Sequence, residues 1–395
     1  MNNIIDINKA KKIIDKIDKK EKISYKDALT LLSSFEYDNN LNKKKLNKKE
    51  KEEIKELKEY LRIKAREKAD KIFGKYIFMR GLVEFTNYCK NDCIYCGIRK
   101  SNKNAERYRL NKKEILECCK IGYDIGFRTF VLQGGEDNFF NIERMSNIVR
   151  AIKKEFPDCA LTLSIGEKNE EYYKELKNNG ANRFLLRHET SENEHYSKLH
   201  PKYMSLDNRK ECLRILKRLG FQTGTGIMVG SPFQKLENIA SDLIFMQEIK
   251  PEMIGIGPFL PHKDTPFAKE KIGEMELTLI LISILRLIFP LSLIPATTAL
   301  GTIKEGGREL GILHGANVVM PNLSPMNVRK KYLLYNNKIS TGTESAEGVE
   351  LLKKSIDKIG YILTGARGDY DILVGTQMVA KGLNFENVTL AAVVS

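Results

Sequence analysis

Cys89, Cys93 and Cys96 fall within eight consecutive residues, in the run Phe85-Thr-Asn-Tyr-Cys-Lys-Asn-Asp-Cys-Ile-Tyr-Cys-Gly97, with the spacing C-x3-C-x2-C. Three thiolates so placed can wrap one small inorganic cluster, because thiolates are the usual ligands of iron–sulfur sites. Four would close every iron; three leave one open, and an open position is what a metal centre needs to bind a reactant. A structural zinc would want a fourth ligand, and the nearest histidine, His188, lies far along the chain. A purely apolar use of these cysteines would not predict neighbours such as Lys90, Asn91 and Asp92. Cys118, Cys119, Cys159 and Cys212 lack ligand spacing and read as core or surface thiols.

A thiol triad needs a scaffold to face, and the chain supplies a repeating one. From about residue 79, short apolar runs alternate with amphipathic stretches, the pattern of β/α units around a parallel sheet. The expected strands are 81–85, 129–133, 160–165, 183–187, 222–229, 253–257, 291–297 and 316–320. Helical patterns such as 112–125, 142–156, 206–219, 274–288 and 304–314 lie between them. No G-x-G-x-x-G follows the first strand, so the expected fold is a (β/α)8 TIM-type barrel rather than a doubly wound dinucleotide sheet. Residues 1–78 are rich in Lys and Glu and read as a helical extension, with helices over 25–35 and 48–72. In such barrels the chemistry sits on the loops after the strands' carboxyl ends. The polar clusters fall there: the three cysteines after the first strand, Gly134-Gly135-Glu136-Asp137 after the second, Ser164 and Glu167 after the third, Arg187-His188-Glu189 after the fourth, and Thr297 and Thr298 after the seventh. His188 should point away from its neighbour Arg187 and reads as structural.

Composition bounds the partners. The 395 residues carry a formal net charge of +15, which raises a nucleic-acid hypothesis. The lysines are mixed with acids along the whole chain, as in 43–58, which is the pattern of solvated helix faces rather than a phosphate groove. Seven cysteines, an odd number, and the lack of an N-terminal apolar signal favour a reduced, cytoplasmic chain over a disulfide scaffold. The apolar stretch 277–293 is interrupted by Arg286 and Pro290, so it reads as a buried helix and strand rather than a membrane span.

The triad, with an aromatic residue before its third cysteine, resembles the signature of the radical S-adenosylmethionine (SAM) superfamily. Further blocks are similar to the HydE family of [FeFe]-hydrogenase maturases: 80–89 (RGLVEFTNYC), 131–137 (VLQGGED), 163–167 (LSIGE), 185–190 (LLRHET), 255–262 (GIGPFLPH), 294–299 (IPATTA) and 319–322 (VMPN). The resemblance implies a [4Fe–4S] cluster on Cys89, Cys93 and Cys96, and SAM bound to the open iron and cleaved to a 5′-deoxyadenosyl radical. It places Tyr95, Gln133, Gly134, Ser164, Glu189 and Arg209 around SAM. It places Arg187, Met228, Thr297, Thr298 and Tyr332 in a substrate cavity suited to a carboxylate-bearing ligand, which in HydE-like enzymes is an iron complex. Implied partners are a small-molecule or iron-complex substrate, an electron donor such as flavodoxin or ferredoxin, and the other hydrogenase maturases; no membrane or nucleic acid is implied. With no cysteine after Cys212, a single cluster is expected.

Other members of the biotin synthase-like clan, methylornithine synthase above all, share the barrel and the triad and are the alternative reading; a basic nucleic-acid-binding protein is the alternative from another class. Ser231-Pro-Phe-Gln stands where the clan more often shows Leu-Pro-Gly-Gln. Maturase-like sequence fades near Arg367, and residues 371–390 are similar to a late motif of primosomal replication-restart helicases. A P-loop, G-x-x-x-x-G-K-[ST], occurs nowhere, so the tail 369–395 is expected to drive no ATP hydrolysis. The division expected is 1–78, 79–368 and 369–395.

Overall fold

The computed structural model describes residues 6–35 and 47–368; the helicase-like tail lies outside the described residues. Three helices come first: α1 (Ile7–Lys20), α2 (Tyr25–Ser33) and α3 (Lys48–Phe73). Each starts on a polar cap, α3 on a reciprocal capping box between Asn47 and Glu50. Then come β1 (Tyr76–Met79), across which the expected boundary at residue 78 falls, and β2 (Gly81–Thr86). The chain continues as α4 (Lys112–Asp124), β3 (Thr129–Gly134), α5 (Ile142–Glu155), β4 (Ala160–Ser164), α6 (Glu170–Asn178), β5 (Arg183–Leu185), α7 (Asn193–Leu199), α8 (Leu206–Arg218), β6 (Gln222–Thr225), β7 (Met228–Val229) and α9 (Leu236–Ile249). It ends with β8 (Met253–Ile254), β9 (Gly257–Pro258), α10 (Met275–Ile288), α11 (Thr298–Ile303), α12 (Gly307–Leu313), β10 (Val318–Val319), α13 (Met326–Arg329), α14 (Val349–Lys358) and β11 (Ile362–Thr364).

Strands β2, β3, β4, β5, β6 and β8 form a six-stranded parallel sheet. Its register sets Glu84, Gln133 and Ser164 side by side, so these polar residues share one face of neighbouring strands. Isolated parallel bridges carry the wall onward from Met253 to Leu293 and from Pro295 to Val318. β10 then pairs with β1, and Asn322 bridges Leu82, which returns the ring to its start. The architecture is the expected α/β barrel.

The expected strand over 291–297 is reduced to those single bridges, and the reason is local. Asn317 Oδ1 takes the amide of Ile294 at 2.8 Å, and Pro295 has no N–H to offer a ladder. The expected strands 222–229 and 253–257 each break in two where Gly226 and Gly255 meet; a Cβ on Gly226 would lie 1.9 Å from Gly255 O. The helix expected over 304–314 begins at Gly307, with α11 a separate turn before it.

Helix α10 is buried from Leu277 to Ile288, between the sheet and α3, which explains a helix apolar on every side. Its Arg286 is fully buried and donates to Gly315 O, Pro290 O and Ser292 O, each at 2.8 Å, and to Asn317 Oδ1 at 3.0 Å. The extension is sewn on similarly: the Gln247 amide exchanges two 2.9 Å bonds with the main chain of Ile23, and Arg66 reaches Ile312 O at 2.7 Å. No helix among the described residues is long and apolar enough to cross a membrane.

Candidate active site

The cysteine loop leaves β2 at its carboxyl end and runs to α4. Cys89, Cys93 and Cys96 are half-buried in it, while Cys118, Cys119, Cys159 and Cys212 are buried; all seven thiols are free. Burial pushes the Cys93 thiol well above its ordinary value, with the charges of Cys96 and Cys89 adding to it. Burial and then Cys89 push Cys96 up to about 12. Each of the three thiols is raised first of all by burial, and all three lie on one eight-residue stretch of the loop. Among the described residues no three Cys, His, Asp or Glu side chains close around a single metal ion. A soft, three-sulfur set spread this way suits a cluster that takes one ligand per iron better than one zinc ion.

Side chains that the spacing rules did not single out hold the loop in shape. Asn87 Nδ2 donates to Glu106 O at 2.8 Å and Lys331 O at 2.7 Å, while its Oδ1 accepts from Tyr108 N at 2.8 Å. Asp92 accepts from Arg99 Nε at 2.7 Å and from both donors of Ser101. Asn102 Nδ2 donates to Gly97 O at 2.6 Å. Arg107 donates to four main-chain carbonyls, those of Asn87, Ile98, Arg99 and Asn102. The only sequence signal for these residues was polar density between two apolar elements.

The loop after β3 packs directly on the cysteines. Gly135 has no room for a side chain: a Cβ would lie 2.2 Å from Tyr88 O and 2.9 Å from Cys89 Cβ. Lys90 N donates to Glu136 O at 2.9 Å, and Glu136 Oε1 accepts from Glu167 N at 3.0 Å. Asp137 receives a bidentate pair from Arg109, at 2.6 and 2.9 Å, and the Thr86 hydroxyl at 2.8 Å. A cavity of about 340 Å³ opens beside this junction, lined by Lys90, Asn91, Glu136, Glu167, Tyr203, Met204, Ser205 and Asn208. Met204 Sδ is 4.0 Å from Cys93 Sγ.

None of the residues expected around SAM is among those lining this cavity; they stand at neighbouring strand ends, in the loops that follow them and on α8. Gln133 and Gly134 end β3, and Ser164 ends β4 in register with Gln133. Glu189 is buried in a left-handed conformation (φ 65°), a backbone that side chains other than glycine adopt at a cost. Its Oε2 accepts from Arg187 Nη2 at 2.9 Å. Arg209, on α8, sits 2.7 Å from Glu167 Oε1. Tyr95 lies edge-on to His200, its hydroxyl 3.4 Å from Nε2, and packs on the small cluster of Leu199, Met228, Phe259 and Phe267.

The residues expected around substrate divide in two. Arg187 Nε and Thr297 Oγ1 are buried with no hydrogen-bond partner. They flank one segment: a Cβ on Gly255 would lie 3.6 Å from Arg187 Cδ, and one on Gly257 would lie 2.9 Å from Thr297 Oγ1. The two glycines let Arg187 and Thr297 pack directly on this segment, leaving Arg187 Nε and Thr297 Oγ1 buried without partners. Thr298 is engaged instead, its hydroxyl donating to Glu344 Oε2 at 2.6 Å. Tyr332 is buried and accepts from Gln133 Nε2 at 3.5 Å. Behind it Lys338 pairs with buried Glu84, whose other oxygen accepts from Asn322 Nδ2 at 2.7 Å. That cluster joins residues about 240 positions apart, which no spacing reveals. His188 is fully buried on Thr225 Oγ1 (2.8 Å), a structural place as expected.

The Radical SAM superfamily model matches residues 83–246. Over 296 residues the chain is 45% identical to the [FeFe] hydrogenase maturase subunit HydE of Thermotoga maritima, covering 74% of this chain and 84% of that protein. It is 34% identical over 279 residues to 3-methylornithine synthase of Methanosarcina barkeri, covering 69% of this chain and 77% of that one. The crystal structure of a methylornithine synthase superposes with a TM-score of 0.75 at 28% identity, covering 90% of this chain and 98% of that one. A thiol triad at a barrel mouth, the loop of Gln133–Asp137 locked against it, and this level of identity lead to one conclusion: the chain is a radical SAM enzyme, with a [4Fe–4S] cluster and SAM as its cofactors, and it belongs to the HydE family.

Proposed function

We propose that this protein cleaves SAM reductively in the cytoplasm as a maturase of the [FeFe]-hydrogenase cofactor, with Cys89, Cys93 and Cys96 as the cluster ligands. The observation that carries the reading is a loop with three half-buried free thiols whose first cysteine packs directly on the Gln133–Asp137 loop. Held by Cys89, Cys93 and Cys96, the cluster would supply the one-electron reductive cleavage of SAM. The chain's own part is placement. Gln133 and Gly134 would bracket the methionine portion of SAM, Glu189 would accept from its ammonium or ribose hydroxyls, and Arg209 would pair with its carboxylate. Ser164 and Tyr95 would complete that wall. Arg187, Thr297 and Thr298 would take a carboxylate of the substrate, with Met228 and Tyr332 as its apolar lining; the two unpartnered atoms, Arg187 Nε and Thr297 Oγ1, support this.

The substrate class is a small molecule or iron complex, the reductant a flavodoxin or ferredoxin, and the other hydrogenase maturases act before or after; nucleic acid has no role in this reading. The catalytic unit is 79–368, the helices of 1–78 brace it from outside, and 369–395 adds no chemistry. The test is anaerobic reconstitution followed by measurement of iron, sulfide and 5′-deoxyadenosine. One [4Fe–4S] cluster and SAM cleavage are expected, both lost on Cys89→Ala, Cys93→Ala or Cys96→Ala; wild-type cleavage in any of the three overturns the ligand assignment. Activation of apo-hydrogenase that does not depend on this protein would overturn the maturase role. The similarity to methylornithine synthase gives the second reading its own assay, formation of 3-methylornithine.

A further inference from the structure

Three arginines are built into the surroundings of the cysteine loop: Arg99 and Arg107, which bond to the loop itself, and Arg209, which pairs with Glu167 beside it. Two of the three are neutralised. Arg99 Nε is 2.7 Å from Asp92 Oδ1, and Arg209 Nε is 2.7 Å from Glu167 Oε1. Arg107 differs. Its Nη1 donates to Asn87 O and to Ile98 O (2.8 Å), and its Nη2 to Arg99 O (2.6 Å) and Asn102 O (3.1 Å). Among the described residues no carboxylate pairs with it, and two of its carbonyl partners, Asn87 and Ile98, lie two residues from Cys89 and Cys96. Carbonyl dipoles satisfy its donors but leave its unit charge in place. The cysteine loop is therefore wrapped around a half-buried cation that it does not neutralise.

We propose that Arg107 is a positioning residue that also tunes the cluster: its uncompensated guanidinium, fixed by four loop carbonyls, raises the reduction potential of the cluster held by Cys89, Cys93 and Cys96. The inference rests on that ligand assignment. Reduction adds one electron to a site already carrying three thiolates, and a cation fixed within the loop that carries them favours the added charge. Net charge and hydrogen bonding are the levers that set iron–sulfur potentials. Half-burial keeps water from screening the effect completely. The electron comes from the low-potential donor that the reading above already requires.

The test is anaerobic potentiometric titration of the reconstituted cluster, followed by electron paramagnetic resonance, in wild type, Arg107→Gln and Arg107→Lys. Iron content is measured first. In Arg107→Gln the cluster should assemble but reduce less readily, its reduced-to-oxidised ratio about tenfold lower at the wild-type midpoint, a downward shift of about 59 mV for one electron. Arg107→Lys keeps the charge and should stay closer to wild type. Full iron content in Arg107→Gln with an unshifted midpoint overturns the proposal. If both variants lose the cluster, Arg107 is a loop staple only and the proposal also falls. If Gln loses the cluster and Lys keeps it near the wild-type midpoint, the charge is what the site needs and the proposal stands. Absence of a [4Fe–4S] signal from wild type would instead sink the ligand assignment itself.

Discussion

Two regions of this protein solve the same problem in the same way and to different ends. In α10, Arg286 is sealed from water and spends its donors on three carbonyls and one amide oxygen; in the cysteine loop, Arg107 is half-buried and spends its own on four carbonyls. Neither is given a carboxylate. Around Arg286 the consequence is purely architectural: the charge stays buried because removing it would orphan the turn carbonyls that replace a strand ladder at 290–294. Around Arg107 the same geometry fixes a charge within the loop that carries Cys89 and Cys96. An arginine held by main-chain oxygens is a rivet wherever it occurs, and it becomes functional only through what sits next to it.

The comparison can be broken at its strongest point first. Arg286→Met should leave three buried carbonyls without donors and lower unfolding stability by about 3–5 kcal/mol, measured by denaturant titration. A loss below about 1 kcal/mol would mean that water or repacking replaces the rivet. Gly135→Ala probes the other region: a methyl 2.2 Å from Tyr88 O must push the cysteine loop, at about 1–3 kcal/mol of strain. Retained iron should fall sharply while the far-ultraviolet spectrum and the cooperative melt persist; unchanged iron content would show that the loop tolerates displacement.

The smallest effect belongs to an arginine that takes the ordinary partner. Arg329 holds the Glu347 carboxylate at 2.7 and 2.9 Å, and this pairing depresses Glu347 from 4.5 to about 2. A depressed carboxyl stabilises the fold above its unfolded value and loses that contribution as pH falls through its folded one. Glu347→Gln should therefore flatten the stability profile between pH 4.5 and about 2, by less than about 1 kcal/mol since the carboxylate is 58% exposed. An unaltered acid limb would remove the pair from the stability account.

Much of the site was legible because its residues cluster in sequence after each strand: the triad, the Gln133–Asp137 loop, and Arg187 with Glu189. The supports were not. Glu84 and Lys338, or Asn87 and Lys331, meet where the ring closes but stand far apart in sequence, and a lone Asn or Lys in a polar stretch carries no mark of its partner. The barrel was legible from alternation, yet the wall at 291–297 was overread as a strand. Its residues are apolar and β-branched enough, but side chains of Asn317 and Arg286 take the bonds that a neighbouring strand would have taken.

That wall has a further meaning. From β2 to β6 the ring is laced by consecutive main-chain bonds, whereas between Met253 and Val318 it is joined by single bridges. Local opening costs least where the fewest such bonds must break together. Gln133 and Ser164 stand on the laced arc, while Thr297 stands at the seam. On the proposed assignment Gln133 and Ser164 would hold SAM from stiff material, while Thr297 would meet substrate from the compliant arc, so a change of substrate would be accommodated most easily at the seam.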